Sequence, residues 1–539
     1  MNRFVAVIAA AGVVLGGLIV VPAVNAAPSK PVSQVPEFTP DPIQWGECDN
    51  PTLVDAGAEC GFVEVPLDYN SPSGDMIKLA VSRVSHKTPD AEAQGPMLVN
   101  PGGPGGSGLI YAVFGEVFLP PGAGDSYDWI GFDPRGVGSS QPALSCDPNF
   151  DGYNRPFYLP ITPGLERAWL KRSKNYAKAC DAAGGDLLDH MTTVEAALDM
   201  ESIRKALGSE QINYYGFSYG TYLGQVYGTM FPDRLRRVVF DGNVDPTRVW
   251  YKSNIDQDIA FDRNSKVYFD WVAKYDDIYH LGKTGRAVEK LYYREQAKLL
   301  RSPAGGLIGP DEWTDIFLSA AYYVYGWEDV ANAFSAWVHD GDSEPLVALY
   351  PPPGDDNGHA VYLAVVCTDA KWVTNYNRYR LDNWLTHIKA PFTTWGNAWF
   401  NGPCLYWPGK SHRPLEIDGS GVESALLINE TLDSATPYPG AIEVRKRFPN
   451  SVLIEGVNGT THSGSLSGVE CTDSRIVDYL LTGALPERVP GNRSDVQCEP
   501  VPQPVPSAPA AADQRAASST AADTAADLRK QLAAAAMPN

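Results

Sequence analysis

Ile212-Asn213-Tyr214-Tyr215-Gly216-Phe217-Ser218-Tyr219-Gly220-Thr221-Tyr222-Leu223-Gly224 is the stretch on which the reading of this chain turns. Residues 212–215 form a short apolar run of strand character, and residues from about 218 to 230 read as a helix. Between them Gly216-Phe217-Ser218-Tyr219-Gly220 has the spacing G-x-S-x-G. That spacing makes a tight turn which lifts a serine to the tip of a sheet, with a glycine on either side so that strand and helix can close on each other. A hydroxyl held in this way, with a base beside it, is a nucleophile. The spacing alone is common; the strand before it and the helix after it give it meaning.

A nucleophile of this kind needs donors for the oxyanion, an acid and a base. Upstream, the apolar run 97–100 leads into Asn100-Pro101-Gly102-Gly103-Pro104-Gly105-Gly106-Ser107-Gly108, and the run 127–132 leads into Asp133-Pro134-Arg135-Gly136. The glycine loop lacks both the Lys-Ser/Thr of a P-loop and the spacing of a dinucleotide fingerprint. Beside a serine it is suited to aiming a backbone N–H at a substrate oxygen, with Gly103 the first choice and Gly102 the next. The other donor is the N–H following the nucleophile, that of Tyr219. Downstream, the strand 425–428 precedes a loop with Glu430 and Asp433, and the strand 452–455 precedes a loop with His462. The chain order serine, acid, histidine selects Asp433 and His462, with Glu430 the competing acid. The histidines at 86, 190, 280, 339, 359, 387 and 412 have no such setting and no HExxH spacing, so neither a metal nor a cofactor is expected.

Further strands are expected at 63–67, 77–83 and 237–240, and a helix at 193–207, whose Val194, Ala197, Leu198 and Ile203 share an apolar face. This alternation predicts an α/β fold with a mostly parallel sheet and crossover helices. The rhythm stops over 246–421, a mostly helical span rich in aromatics such as Tyr268, Phe269, Trp271, Tyr322, Tyr323, Tyr325 and Trp327. That span reads as a cap inserted between two parts of one core, 41–245 and 422–498, because the catalytic set is complete only when both parts are combined.

The ends have a different character. Arg3, an apolar run over 4–21 and small residues at Val24-Asn25-Ala26-Ala27 make 1–27 an export signal. Residues 28–40 read as an extended leader or pro-segment, and the Pro/Ala-rich 499–539 as a disordered tail. Eight cysteines without a CxxC pair suit an exported chain, with Cys48 paired to Cys60, Cys146 to Cys180, Cys367 to Cys404 and Cys471 to Cys498. A net charge of −21 excludes nucleic acid as a partner, since phosphate binding needs a basic surface. No membrane association is expected once the signal is removed.

NPGGPGGSG at 100–108, GFDPRGVGSS at 131–140, GFSYGTYLG at 216–224, LDSATP at 432–437 and GTTHSG at 459–464 together resemble the secreted bacterial tripeptidyl aminopeptidases, relatives of the prolyl aminopeptidases in the α/β-hydrolase superfamily. The resemblance runs from about 42 to 498. It implies an α/β-hydrolase fold with an inserted helical cap. It also implies release of tripeptides from peptides with a free N-terminus through an acyl-enzyme on Ser218, with Asp433 and His462 completing the triad and Gly103 and Tyr219 as oxyanion donors. Zymogens in the family imply an activating protease that cuts within 27–40. The prolyl relatives have His before the glycines; this chain has Asn100-Pro101, which departs from single-residue prolyl specificity. A prolyl-aminopeptidase-like peptidase or a carboxylesterase with the same triad are the alternative readings. An aminopeptidase also requires an anion for the substrate ammonium, for which Asp369, Glu430 and the acids of the cap are the candidates.

Overall fold

The computed structural model of the chain describes residues 37–350 and 352–506. The export signal, most of the leader and the chain beyond 506 lie outside the described residues.

Ten strands form one sheet: β1 (Gly46–Glu47), β2 (Glu59–Pro66), β3 (Met76–Val84), β4 (Pro96–Asn100), β5 (Asp128–Phe132), β6 (Ile212–Phe217), β7 (Leu235–Asp241), β8 (Ala425–Glu430), β9 (Ser451–Gly456) and β10 (Val496–Cys498). Their order is β1-β2-β3-β5-β4-β6-β7-β8-β9-β10. The first three pair antiparallel, as does β3 with β5, and every pairing from β5 to β10 is parallel. Every residue of β4, β8 and β9 is buried, which explains why these strands read as continuous apolar runs rather than as alternations: helices and insert cover both faces.

Register brings the carboxyl ends together. Asn100 lies beside Gly216, Phe217 beside Asp241, Asp241 beside Ile428, and Ile428 beside Ile454. The loops after these strands therefore emerge along one edge. The strand order reverses direction between β4 and β6, and the crevice at such a reversal is where open α/β sheets hold ligands.

Between β7 and β8 the named elements are helical, the longer ones being Tyr251–Lys274, Gly285–Leu299, Pro310–Tyr322, Trp327–Asp340, Asn357–Asp369, Tyr376–His387 and Thr394–Phe400. Tyr268, Phe269, Trp271 and Trp327 are the core of this insert, with the Trp271 and Trp327 rings 5.3 Å apart. Helical spacing of large aromatics thus makes a packed interior here, and only a few rings, Tyr322 among them, face the crevice.

Three features differ from the sequence reading. The 22-residue helix Pro163–Gly184 was not expected: its surface is mostly polar and its start is set by Thr162, whose side chain accepts from the Leu165 N–H. β1 and β10 are too short to show a period. Residues 499–506 are not a loose tail: Val501 is only 6% exposed, its N–H donates to Glu430, and the Trp271 indole donates to the Pro504 carbonyl at 2.9 Å. Composition cannot reveal such a segment, because its partners come from side chains far away in sequence.

The cysteines form Cys48–Cys60, Cys146–Cys180, Cys367–Cys404 and Cys471–Cys498, and none is free. The last of these fastens β10 to the helix Glu470–Thr482. Among the described residues no helix is long and apolar enough to cross a membrane.

Candidate active site

Ser218 follows β6 directly and has φ 54° and ψ −123°, the left-handed backbone that a strand-to-helix elbow demands. Its N–H donates to the Asp241 carbonyl at 2.9 Å, and its own carbonyl accepts from the Thr221 N–H and hydroxyl. The strained turn is thereby held by β7 on one side and by its helix on the other.

His462 and Asp433 are both buried, with His462 Nδ1 2.8 Å from Asp433 Oδ2. The carboxylate also accepts from the N–H groups of Ala435 and Thr436 at 2.9 Å and from the Thr436 hydroxyl at 2.8 Å. Several donors on one anion fix its orientation, and with Nδ1–H donated to it the imidazole presents Nε2 as an acceptor. The Asp241 carbonyl that holds Ser218 also accepts from the Ser463 hydroxyl at 3.3 Å, so one oxygen ties the elbow to the histidine loop. From the insert, the Tyr322 carbonyl accepts the His462 N–H at 2.9 Å, and the Tyr322 and Tyr323 rings lie about 6 Å from the imidazole.

The glycine loop separates its two candidate donors. The Gly102 N–H is used, donating to Asn100 Oδ1 at 3.0 Å, whereas the Gly103 N–H meets no acceptor among the described residues and Gly103 lines the same cavity as Ser218. The Gly102 N–H is therefore occupied within the protein, and the residue has a steric part as well. It has φ +95°, and a Cβ there would stand 2.5 Å from the Phe217 carbonyl oxygen and 3.0 Å from the Tyr219 nitrogen. Gly102→Ala is expected to lower kcat about 100-fold, the scale of losing one oxyanion donor, by pushing the loop off the elbow; steady-state kinetics of the purified variant measures it. The sequence reading passed over Asp133, which accepts from Ser107 Oγ and the Gly108 and Ser139 N–H groups and so anchors the far end of this loop.

Gly103 and Ser218 line a cavity of about 290 Å³, most of whose wall comes from the insert. Neither Asp369 nor Glu430 is part of that wall. Asp369 accepts from the Thr193 N–H at 2.7 Å, from the Thr193 hydroxyl and from the Trp250 indole at 3.2 Å, an anion at the start of the helix Thr193–Ala206. Glu430 accepts from the Thr461 N–H at 2.5 Å and the Val501 N–H at 2.7 Å. Both carboxyls are taken up by donors within the protein and lie off the cavity wall, so the structure does not support either as the anchor for a substrate amine.

The acids on the cavity wall are Asp151, Asp315 and Asp355. Arg155 pairs with Asp315 at 2.5 Å and lies 3.2 Å from Glu312 and 3.5 Å from Asp151, while His359 stands 3.0 Å from Asp151. Burial pushes Asp315 up to about 6 against the pull of Arg155. Burial also works against the Asp151 anion, but His359 and Arg155 outweigh it and hold that carboxyl below its ordinary value. These residues have no motif. The one faint signal is the trio Asp311, Glu312 and Asp315 at helical spacing.

Comparison with known proteins adds to this geometry. Residues 95–293 match a family described as alpha/beta hydrolase fold, and residues 390–498 one described as TAP-like protein. The chain is 42% identical over 474 residues to a tripeptidyl aminopeptidase of Streptomyces coelicolor, covering 85% of this chain and 86% of that one. It is 28% identical to the serine protease Hip1 of Mycobacterium tuberculosis, covering 83% and 90%, and 30% identical to a carboxylesterase B of the same species, covering 80% and 85%.

Proposed function

The chain belongs to the tripeptidyl aminopeptidase family of α/β hydrolases and is a serine peptidase; from that premise we propose that it releases tripeptides from the free N-terminus of peptides. The observation that carries this reading is the shared cavity, in which Ser218 and a group of carboxylates line one space.

In the proposed reaction His462 Nε2 takes the proton of Ser218 as Oγ attacks the scissile carbonyl, and Asp433 stabilises the imidazolium that results. The N–H groups of Gly103 and Tyr219 receive the developing oxyanion. The C–N bond then breaks, and the leaving amine departs with the proton held by His462. A tripeptide is left esterified to Ser218. Water, deprotonated by His462, attacks this ester, and the serine leaves with the proton as the tripeptide is freed. The insert acts as a cap that walls the substrate sites. The export signal and four disulfides support a secreted enzyme, and residues 27–40 are the place for an activating cut.

Asp151 and Asp315 replace Asp369 and Glu430 as the anchor for the substrate ammonium. A charge-assisted hydrogen bond contributes about 1.5–3 kcal/mol, so Asp315→Asn and Asp151→Asn are each expected to raise KM for a free-amine tripeptide anilide by about 10-fold or more, with kcat changed little. As pH falls through about 6, Asp315 takes a proton, loses its charge and holds an ammonium less well, so the wild-type KM rises. KM that is flat from pH 5 to 7.5 would remove Asp315 from this role. Mass spectrometry of digests separates the readings: mass losses of three residues at a time from a free-amine peptide, and none from its N-acetylated form, are the expected result. The similarity to a carboxylesterase gives the second reading, and cleavage of short acyl esters with no cleavage of peptides would establish it instead.

A further inference from the structure

Glu430, excluded as an amine anchor, stands where three segments cross. It is the last residue of β8; the loop that follows carries Asp433, the loop after β9 carries His462, and the chain after Cys498 reaches Glu430 through the Val501 N–H. One carboxyl oxygen accepts the N–H of Thr461, the residue before His462, and the other accepts the N–H of Val501. The approach is close: a Cβ on Gly459 would stand 2.2 Å from the Glu430 carboxyl carbon, so a larger residue there would displace that carboxyl from its two N–H donors.

The C-terminal segment does not end its contacts there. β10 pairs with β9, the Val457 N–H donates to the Cys498 carbonyl, Val501 packs in the aromatic core of the insert, and the Pro504 carbonyl accepts from Trp271 on the helix Tyr251–Lys274. The insert in turn reaches the histidine loop through the Tyr322 carbonyl and through the Val324 N–H, which donates to the Thr461 hydroxyl. Residues 499–504 and Glu430 thus close a ring of contacts around the loop that bears the imidazole, without touching the cavity.

We propose that Glu430 and residues 499–504 form a clamp that positions His462 for proton transfer, so that the chain beyond the last disulfide is a working part of the active-site support. The inference rests on the reading of Ser218, Asp433 and His462 as a triad. Glu430 is a positioning residue: it acts through the Thr461 N–H and so sets where the imidazole stands. Displacement of a catalytic group by a fraction of an ångström costs rate and not substrate affinity.

Three variants test it, with kcat measured per active site titrated by a fluorophosphonate, so that unfolded protein is not counted. The reference is a chain ending at Pro506, which keeps every contact named above. Glu430→Gln keeps the shape but turns an amide NH2 toward one of the two N–H donors. A chain ending at Pro500 removes the Val501 and Pro504 contacts and leaves the disulfide. Each should lower kcat about 10-fold with KM within about twofold, and the two changes combined should lower it no further than the worse one alone, because they break one clamp. Unchanged kcat in either variant, a rise in KM in place of the fall in kcat, or effects that multiply would overturn the proposal. If one variant yields no titratable sites, the other decides. Loss of the triad reading would look different: no fluorophosphonate would be incorporated even in the reference chain.

Discussion

Ser218→Ala is expected to lower kcat by about 10,000-fold or more while the fold persists. The backbone bonds that shape the elbow, from the Ser218 N–H to Asp241 and from Thr221 to the Ser218 carbonyl, do not involve the hydroxyl. Alanine meets the same positive φ with the same Cβ. The Tm should therefore stay within about 2 °C of wild type. What vanishes is the atom that forms the acyl bond, and with it labelling by a fluorophosphonate. Residual hydrolysis then comes from the oxyanion donors and binding alone, a far slower route. Hydrolysis of a tripeptide anilide by the variant at wild-type speed would end the covalent mechanism.

Asp433→Asn should cost about 1,000- to 10,000-fold in kcat. Asparagine keeps one carbonyl oxygen, enough for the N–H groups of Ala435 and Thr436 that now donate to Oδ1 at 2.9 Å, so the loop keeps its form. The amide NH2, however, faces His462 Nδ1 where the anion stood at 2.8 Å. The imidazole then accepts at Nδ1 and carries its proton on Nε2, the wrong tautomer to take a proton from serine, and no anion remains to stabilise an imidazolium. The contrast with Glu430 makes the experiment decisive. Glu430→Gln should fall by one order of magnitude and Asp433→Asn by three or more. The reverse ranking would exchange the two acids.

The legible part of this molecule was the part fixed by short-range chemistry. Ser218 could be read because G-x-S-x-G needs its strand before and helix after, and both are local. The pairing of Asp433 with His462 could be read because each lies in the loop after an all-buried strand, and such strands open on continuous apolar runs. The choice between Gly102 and Gly103 needed the Asn100 side chain, which takes one N–H and leaves the other. The proposed move of the amine anchor to Asp151 and Asp315 has a deeper reason. Asp369 and Glu430 are acids beside the right elements, but burial obliges them to satisfy backbone donors, whereas Asp151 and Asp315 reach the cavity from a loop and from an insert helix 164 positions apart. Nothing in a linear pattern encodes that meeting. The C-terminal segment failed in the opposite sense: proline and alanine counts describe how a chain behaves alone, and 499–506 does not stand alone.

The hydrogen bond from the His462 N–H to the Tyr322 carbonyl has a consequence for traffic through the site. A roof that could lift as a whole would take the working imidazole out of register each time it opened, so the door must be smaller than the roof. Such a chamber is fed like a needle's eye, thread end first. On the proposed exopeptidase reading, such a chamber suits the free end of an unfolded peptide better than a folded domain or the middle of a chain.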